Sequence, residues 1–367
     1  MTDLFLPSAS GYRAPTDDAS YDKLGEDLGD RRDGKVYVYD RRIIEAVQTA
    51  QATGRPLLLR GPAGSGKSSL APFVARWLGR RFYSFTVTAR TQARDLMWSY
   101  DALRRLNDAQ TAGVLPDKER KEAVQRVQQL ENYLTPRALW WAFDPKSAKR
   151  HGLKRGKKLQ AKATEDPGIG PSGTSAVVLV DEIDKADPDV PNNLLECLGS
   201  LQFSVEETGA TVRVPEREAA PLVMVTTNDE RELPAAFLRR CAVLHLRAPE
   251  GRDAFIAHLR QIAGAHFDRE TITGPDQAAV EHEAKVACYA SVAGRFFELA
   301  AEAGRKGLRA PSTAEYLDTV RACLHLGARP DATDDEGQHL WSVVQSVALA
   351  KDPAFGAEQD GEEGDDA

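Results

Sequence analysis

Eight residues, Gly61-Pro62-Ala63-Gly64-Ser65-Gly66-Lys67-Ser68, constrain the fold of this chain more than any other stretch. They complete the pattern G-x-x-x-x-G-K-[ST], which acquires physical meaning when a buried strand precedes it and a helix follows. Leu57-Leu58-Leu59 is a short apolar run of the kind a buried parallel strand shows, opened by Pro56 and closed by Arg60. Behind the loop, Leu70, Phe73, Val74, Trp77 and Leu78 recur at helical spacing, and Gly79 supplies a stop. Glycines in such a loop let successive N–H groups turn toward a polyphosphate at a helix N-terminus, where the helix dipole favours negative charge. Gly61 to Ser68, with the adjacent Ser69, therefore form a candidate ATP-binding loop. Lys67 is placed to reach the β- and γ-phosphates, and Ser68 to ligate Mg²⁺. The alternative, a glycine-rich turn with a solvated lysine, leaves the agreement of both flanks unexplained.

A second apolar run, Val177-Val178-Leu179-Val180, ends in Asp181-Glu182-Ile183-Asp184. Acids at the carboxyl end of a buried strand lie where open α/β sheets bind ligands. Asp181 is the candidate for the Mg²⁺ shell, and Glu182 for orienting and deprotonating an attacking water. Taken alone, the same residues with Lys185 and Asp187 also read as a solvated acidic turn. Leu222 to Thr227 is a third buried strand, and Asn228 at its end is a candidate to position the water beside Glu182. Leu233-Pro234-Ala235-Ala236-Phe237-Leu238 then predicts a short helix opened by proline, followed by Arg239-Arg240 and an apolar strand from Cys241 to Leu246. Adjacent arginines before a core strand are usually solvated, but here they are placed to reach a nucleotide held by a neighbouring subunit.

The order of the phosphate loop, Leu-Val-Asp-Glu-Ile-Asp-Lys-Ala, Thr-Thr-Asn and Leu-Pro-Ala-Ala-Phe-Leu-Arg-Arg-Cys resembles the MoxR-type branch of the AAA+ ATPases. The resemblance spans roughly residues 36 to 326. It implies an α/β P-loop AAA+ core with a parallel sheet, followed by an all-helical lid, and a ring-forming Mg²⁺-dependent ATPase that remodels a protein client. It further implies a homo-oligomer, with a hexamer expected, and a partner bearing a von Willebrand factor A domain. By the same resemblance Asn228 is the first sensor, and Arg239 or Arg240 is the arginine finger. The family usually carries a second sensor arginine at the start of a lid helix. Here that helix opens at Ser312-Thr313-Ala314-Glu315, a capping-box pattern, with Thr313 and Ala314 where arginine is expected; Arg309, just upstream, is the candidate substitute.

The chain divides into an N-terminal arm (1–34), an ATPase core (35–249) carrying an insert at about 96–170, a helical lid (250–350) and an acidic tail (351–367). Net charge is −7, and Asp352 to Ala367 holds seven of the 55 acids and no base, so residues 1 to 351 are neutral overall. That balance argues against a uniformly basic nucleic-acid binder. No apolar stretch approaches membrane-spanning length and no signal-like segment begins at Met1, so a cytoplasmic location is expected. Cys197, Cys241, Cys288 and Cys323 are widely spaced and read as separate buried thiols.

Val36 to Tyr39 reads as a short strand, Arg41 to Ala52 as a helix and Phe82 to Val87 as the second core strand. Between Val87 and Val177 lie 89 residues, far more than the dozen or so a parallel crossover needs. Within this insert Arg94 to Leu106 and Asp117 to Leu134 look helical, and Trp98, Tyr100, Trp140, Trp141 and Phe143 look like a small core of its own. Residues 145 to 164 carry eight lysines and arginines with no acid, a basic loop. That loop is the sole support for a different function class, a nucleic-acid-directed motor subunit of a restriction or phage-defence complex. A slow nucleotide-gated switch is the third class; a kinase is disfavoured because no acceptor-binding domain is evident. Phe203 to Val214 alternates around Thr208-Gly209, the signal of a hairpin. Beyond Glu250 the pattern is helical throughout.

Overall fold

A computed structural model describes residues 34–150, 166–171, 175–268, 275–351 and 355, with only the backbone of 275–281. The N-terminal arm, most of the basic loop and most of the acidic tail lie outside these residues.

The elements run α1 (Arg41–Thr53), β1 (Leu57–Arg60), α2 (Lys67–Leu78), β2 (Arg81–Thr86), β3 (Trp98–Tyr100), α3 (Ala102–Val114), α4 (Asp117–Gln128), β4 (Leu134–Pro136), α5 (Ala138–Phe143) and α6 (Pro145–Arg150). They continue with β5 (Ala176–Asp181), α7 (Asp189–Ser200), β6 (Gln202–Ser204), β7 (Thr211–Arg213), β8 (Leu222–Thr227), α8 (Ala235–Leu238) and β9 (Ala242–His245). Four helices follow among the described residues: α9 (Arg252–Phe267), α10 (Pro275–Lys306), α11 (Thr313–Leu326) and α12 (Asp335–Val344), the last running into a π-type turn at Gln345–Leu349.

Five strands form one sheet in the order β2-β5-β8-β1-β9, and every pairing is parallel. Successive side chains of a strand point to opposite faces, and both faces are covered. Leu58, Val178, Val180, Val223 and Val225 join a cluster on one side. Leu57, Leu59, Val177, Leu179, Leu222 and Met224 join another, shared with α1 and α2. Continuous apolar runs rather than alternation are what such doubly covered strands require.

Val36–Tyr39, β-prone in sequence, is not one of the strands of the sheet. Tyr37 and Tyr39 instead lay their rings within 5.5 Å of Phe73, and Tyr39 lies 5.1 Å from Trp77 on α2. Aromatic packing on a helix, not ladder hydrogen bonding, selects those residues. The insert also differs from expectation. Arg94 to Leu106 breaks into a 3₁₀ turn (Ala93–Leu96), β3 and the start of α3, because β3 pairs antiparallel with β4, more than thirty residues on. Asp117 to Leu134 is helical only to Gln128, then passes through a 3₁₀ turn into β4. Residues 145 to 150 of the expected basic loop form α6. Trp98, Trp140, Trp141 and Phe143 are buried, but in the same cluster as Leu58 and Val178, so they extend the main core rather than form a small separate one. The expected hairpin is β6–β7. Its Phe203 stacks on Trp98 at 5.7 Å and meets Trp140 and Phe143 at about 6 Å, while Trp98 Nε1 donates to Glu207 Oε2 at 2.8 Å.

The last four helices bury their own cluster around Leu259, Phe296, Tyr316 and Val320. There Cys288 and Cys323 hydrogen-bond to each other, which the 35-residue separation concealed; this contact lowers the Cys288 thiol's pKa and, with burial, raises that of Cys323. Among the described residues no helix is long and apolar enough to cross a membrane.

Phe203 joins the hairpin to the insert, so Phe203→Ala should lower the unfolding free energy by about 3–5 kcal/mol, the usual cost of truncating a buried Phe. A urea titration followed by tryptophan fluorescence measures it. A loss below about 1 kcal/mol would mean that the aromatic cluster does not carry this junction.

Candidate functional site

Strand order decides what meets at the carboxyl edge of the sheet. Because β8 lies between β5 and β1, the ends of those three strands are neighbours: Asp181 and Glu182 after β5, Thr226 to Asn228 on and after β8, and Gly61 to Ser68 after β1. The loop is built by backbone freedom. Gly61, Gly64 and Gly66 have φ of 155°, 75° and 82°, conformations that cost a side-chain-bearing residue about 1–2 kcal/mol. Gly66 is the N-cap of α2, so the helix starts at Lys67 with its first N–H groups facing the loop.

Lys67 is 6% exposed, and its Nζ donates to the carbonyls of Gly61 and Pro62 at 2.8 and 2.7 Å. Burial lowers its pKa, opposed by the negative charges of Asp181, Asp184, Asp229 and Glu182. Ser68 Oγ donates to Asp181 Oδ1 at 2.8 Å, and Thr226 Oγ1 donates to the same oxygen at 2.6 Å. The Thr226 hydroxyl in turn accepts from the Glu182 N–H at 2.8 Å. One hydroxyl thus sets both acids. Glu182 itself has a left-handed backbone (φ 61°), and its Oε2 accepts from Lys185 Nζ at 2.7 Å, a contact that raises the lysine's pKa.

Ser65 Oγ is buried, and none of the described residues bonds it. An orphaned hydroxyl inside a positive-φ loop, an ammonium resting on the loop's own carbonyls and a serine–aspartate pair beside it fit a phosphate chain with Mg²⁺. Oxygen ligands of this kind, few in number and completed by phosphate, suit that hard cation.

Asn228 follows β8, and its N–H donates to Asp184 Oδ2 at 3.1 Å; the N–H of Glu230 donates to the same oxygen at 3.0 Å. Asp184 is 2% exposed. The acidic turn is therefore not the solvated one that the run Asp184, Lys185, Asp187 allowed. Arg239 and Arg240 are both exposed and precede β9, whose first residue is level with Leu57, the start of β1. They sit at the far end of the sheet from the phosphate loop of their own chain, about 13 Å of strand away at 3.3 Å per residue. Ser312, N-cap of α11, faces the loop: a Cβ added to Gly64 would fall 2.4 Å from Ser312 Cβ. The capping box with Glu315 is present. Arg309 lies in the same turn, 64% exposed at its side chain, with its guanidinium on both oxygens of Glu315 at 3.3 and 3.2 Å. Burial alone would raise the Glu315 carboxyl, but Ser312, Arg309 and Lys351 together bring its pKa down.

Sequence alone assigns Thr226 no role, and Asp184 there looks like one of several solvated charges, yet both are buried in the site. Thr226 carried a signal, since a hydroxyl in an otherwise apolar, fully buried strand needs a partner.

A five-stranded parallel sheet with a phosphate loop at its carboxyl edge, helices on both faces and a helical C-terminal region is the AAA+ P-loop fold. Residues 56–241, just over half of the chain, match the AAA domain of the dynein-related subfamily, and the chain belongs to that family. A stretch of 79 residues is 34% identical to midasin of Giardia intestinalis; it represents 20% of this chain and 2% of that protein. Among solved structures, a point mutant of Thermotoga maritima RuvB aligns over 84% of this chain and 75% of that one, with 13% identity and a TM-score of 0.35. The T. maritima RuvB Holliday junction branch migration motor aligns over 87% and 77%, with 12% identity and a TM-score of 0.32.

Removing the hydroxyl in Thr226→Val leaves the Glu182 N–H without its acceptor and Asp181 Oδ1 with Ser68 as its remaining donor. A loss of about 1–3 kcal/mol for the unsatisfied amide is expected, with most of it recovered in Thr226→Ser. Chemical denaturation of the two variants compares them, and equal stability of Val and Ser would show that the hydroxyl is not what sets the two acids.

Proposed function

We propose that this protein is a Mg²⁺-dependent ATPase of the MoxR type that assembles into a ring, expected to be hexameric, and couples ATP turnover to remodelling of a protein client. The observation that carries this reading is the bonded line from Ser68 through Asp181 and Thr226 to Glu182, lying against the phosphate loop and Lys67. Residues Gly61 to Ser69 bind the phosphates, with the loop amides and Lys67 taking up negative charge. Ser68 and Asp181 are the residues that would hold Mg²⁺, which when bound neutralises charge on the β- and γ-phosphate oxygens. Glu182 takes the proton of the attacking water, and Asn228 orients that water.

Arg239 and Arg240 are the arginine-finger candidates. Their place at the opposite end of the sheet favours action on a neighbouring subunit's nucleotide, since their own is out of reach. The four C-terminal helices act as the lid, and the apposition of Ser312 to Gly64 supports their closing on the phosphate end of the nucleotide; Arg309 would have to leave Glu315 to serve as the second sensor. The insert, which phosphate chemistry does not require, is assigned to contact with the client or with a partner bearing a von Willebrand factor A domain.

Lys67→Ala should lose ATP binding. Glu182→Gln should bind ATP and turn it over about 10²–10⁴ times more slowly, the usual contribution of a positioned base. Equilibrium binding and steady-state phosphate release measure the two, and near-native turnover by Glu182→Gln would refute the assignment of the base.

If the finger acts in trans, Arg239→Ala or Arg240→Ala should bind ATP with turnover reduced by about 10³–10⁵. Mixing that variant with Lys67→Ala should restore part of the activity, because some interfaces then join an intact site to an intact arginine. Mixed rings that form but stay inactive at every ratio would exclude both arginines.

A further inference from the structure

Asp184 is a buried carboxylate without a role in the phosphate chemistry described above. It follows Glu182 by two residues, and Ile183 between them is fully buried in the core, so the turn Ile183–Lys185 is anchored and delivers both acids from one fixed point. One oxygen of Asp184, Oδ2, accepts the N–H groups of both Asn228 and Glu230. The other, Oδ1, is enclosed, and none of the described residues donates to it. A buried carboxylate with an unpartnered oxygen is costly, and a side chain that only capped a turn would be cheaper as an amide or a hydroxyl.

The ties between the two loops run in both directions. The Glu182 N–H reaches across to Thr226 on β8, while Asp184 reaches across to the backbone just beyond that strand. A third tie fixes the loop from the other side. Asp229, held at φ 59°, receives the Arg60 guanidinium at 2.9 Å, and Arg60 ends the strand from which the phosphate loop departs. The loop carrying Asn228 is therefore stitched to the ends of β5 and β1 at once. We propose that Asp184 is the positioning residue that fixes Asn228 relative to Glu182, acting through the backbone amides of 228 and 230, with the Arg60–Asp229 pair as the second staple. The proposal rests on the ATPase reading for its catalytic consequence. Asp184 acts through the amides of 228 and 230 and not on the nucleotide; its removal lets the Asn228 loop shift, and a misplacement of about 1 Å in a reacting constellation can cost on the order of a hundredfold in rate.

The experiment uses the full chain and three variants, Asp184→Ala, Asp184→Asn and Arg60→Gln, with ATP turnover, ATP binding and amide hydrogen exchange measured on each. Asp184→Ala is expected to lower kcat about a hundredfold per folded molecule with KM for ATP within about threefold, the signature of an interaction used in the transition state. Amide exchange at Asn228 and Glu230 should quicken at least about tenfold while the amides of β8 keep their protection. Asp184→Asn retains an acceptor oxygen for the two amides and should recover kcat to within about tenfold of wild type, and Arg60→Gln should lower kcat less than Asp184→Ala does. A purely structural role would instead reduce the folded fraction and leave kcat per folded molecule unchanged. That result, or unchanged exchange at 228 and 230, would overturn the proposal alone. A wild-type chain that binds ATP without ever hydrolysing it would remove the ATPase reading and the positioning role with it.

Discussion

Asp181 Oδ1 receives two hydroxyl hydrogen bonds, one from the first turn of α2 and one from the end of β8, and the rest of the site is arranged around that point. A buried carboxylate is expensive unless its lone pairs are satisfied. Here Ser68 and Thr226 satisfy one oxygen, and in doing so they lock the helix that starts at Lys67 to two different strands. The parallel register makes this possible. With β8 between β5 and β1, acids, hydroxyls and phosphate loop emerge within one or two strand spacings of each other, which at about 4.8 Å per strand is within reach of short side chains. Thr226 needs only two heavy atoms beyond its Cα, Cβ and Oγ1, to serve both acids.

Around this edge the chain distributes its burial so that the site is held from two sides. One face of the sheet packs on α1 and α2, and Tyr37 and Tyr39 cover the outside of α2. The other face packs on α5 and α7, and there the insert and the β6–β7 hairpin share one aromatic cluster through Phe203. The insert is consequently rooted in the main core, while its α3–α4 pair buries only Ala112 between them. A rooted base and a lightly buried tip are what an element needs if it is to move or to meet another molecule without loosening the sheet. The C-terminal helices keep a separate core and approach the phosphate loop where Ser312 faces Gly64. A residue with a Cβ at position 64 would collide there.

Much of the fold was legible in the chain, for local reasons. Leu57–Leu59, Val177–Val180 and Leu222–Val225 are apolar at every position because both faces of a parallel sheet are buried, and glycines at 61, 64 and 66 stand where only positive φ closes the loop. Ser312 and Glu315 marked a helix start three residues apart. Elements that depend on partners distant in sequence were not legible. The run 94–106 has a helical pattern yet yields a strand at Trp98–Tyr100, because its antiparallel partner lies at Leu134–Pro136. Val36–Tyr39 has strand propensity but is claimed by aromatic rings on α2.

The sequence by itself determined the phosphate loop, the strands that carry it, the acids at their ends and the helical character of the last third, since each depends on residues within a turn or two of one another. Only the tertiary structure decided that Thr226 would serve Asp181 and Glu182 together, that Asp184 would be buried under the amides of the Asn228 loop, and that Arg239 and Arg240 would lie at the end of the sheet away from their own phosphate loop. Those relations are fixed by strand order, and strand order is set by which apolar faces can be covered at once, a property of the whole packed chain and of no local stretch within it.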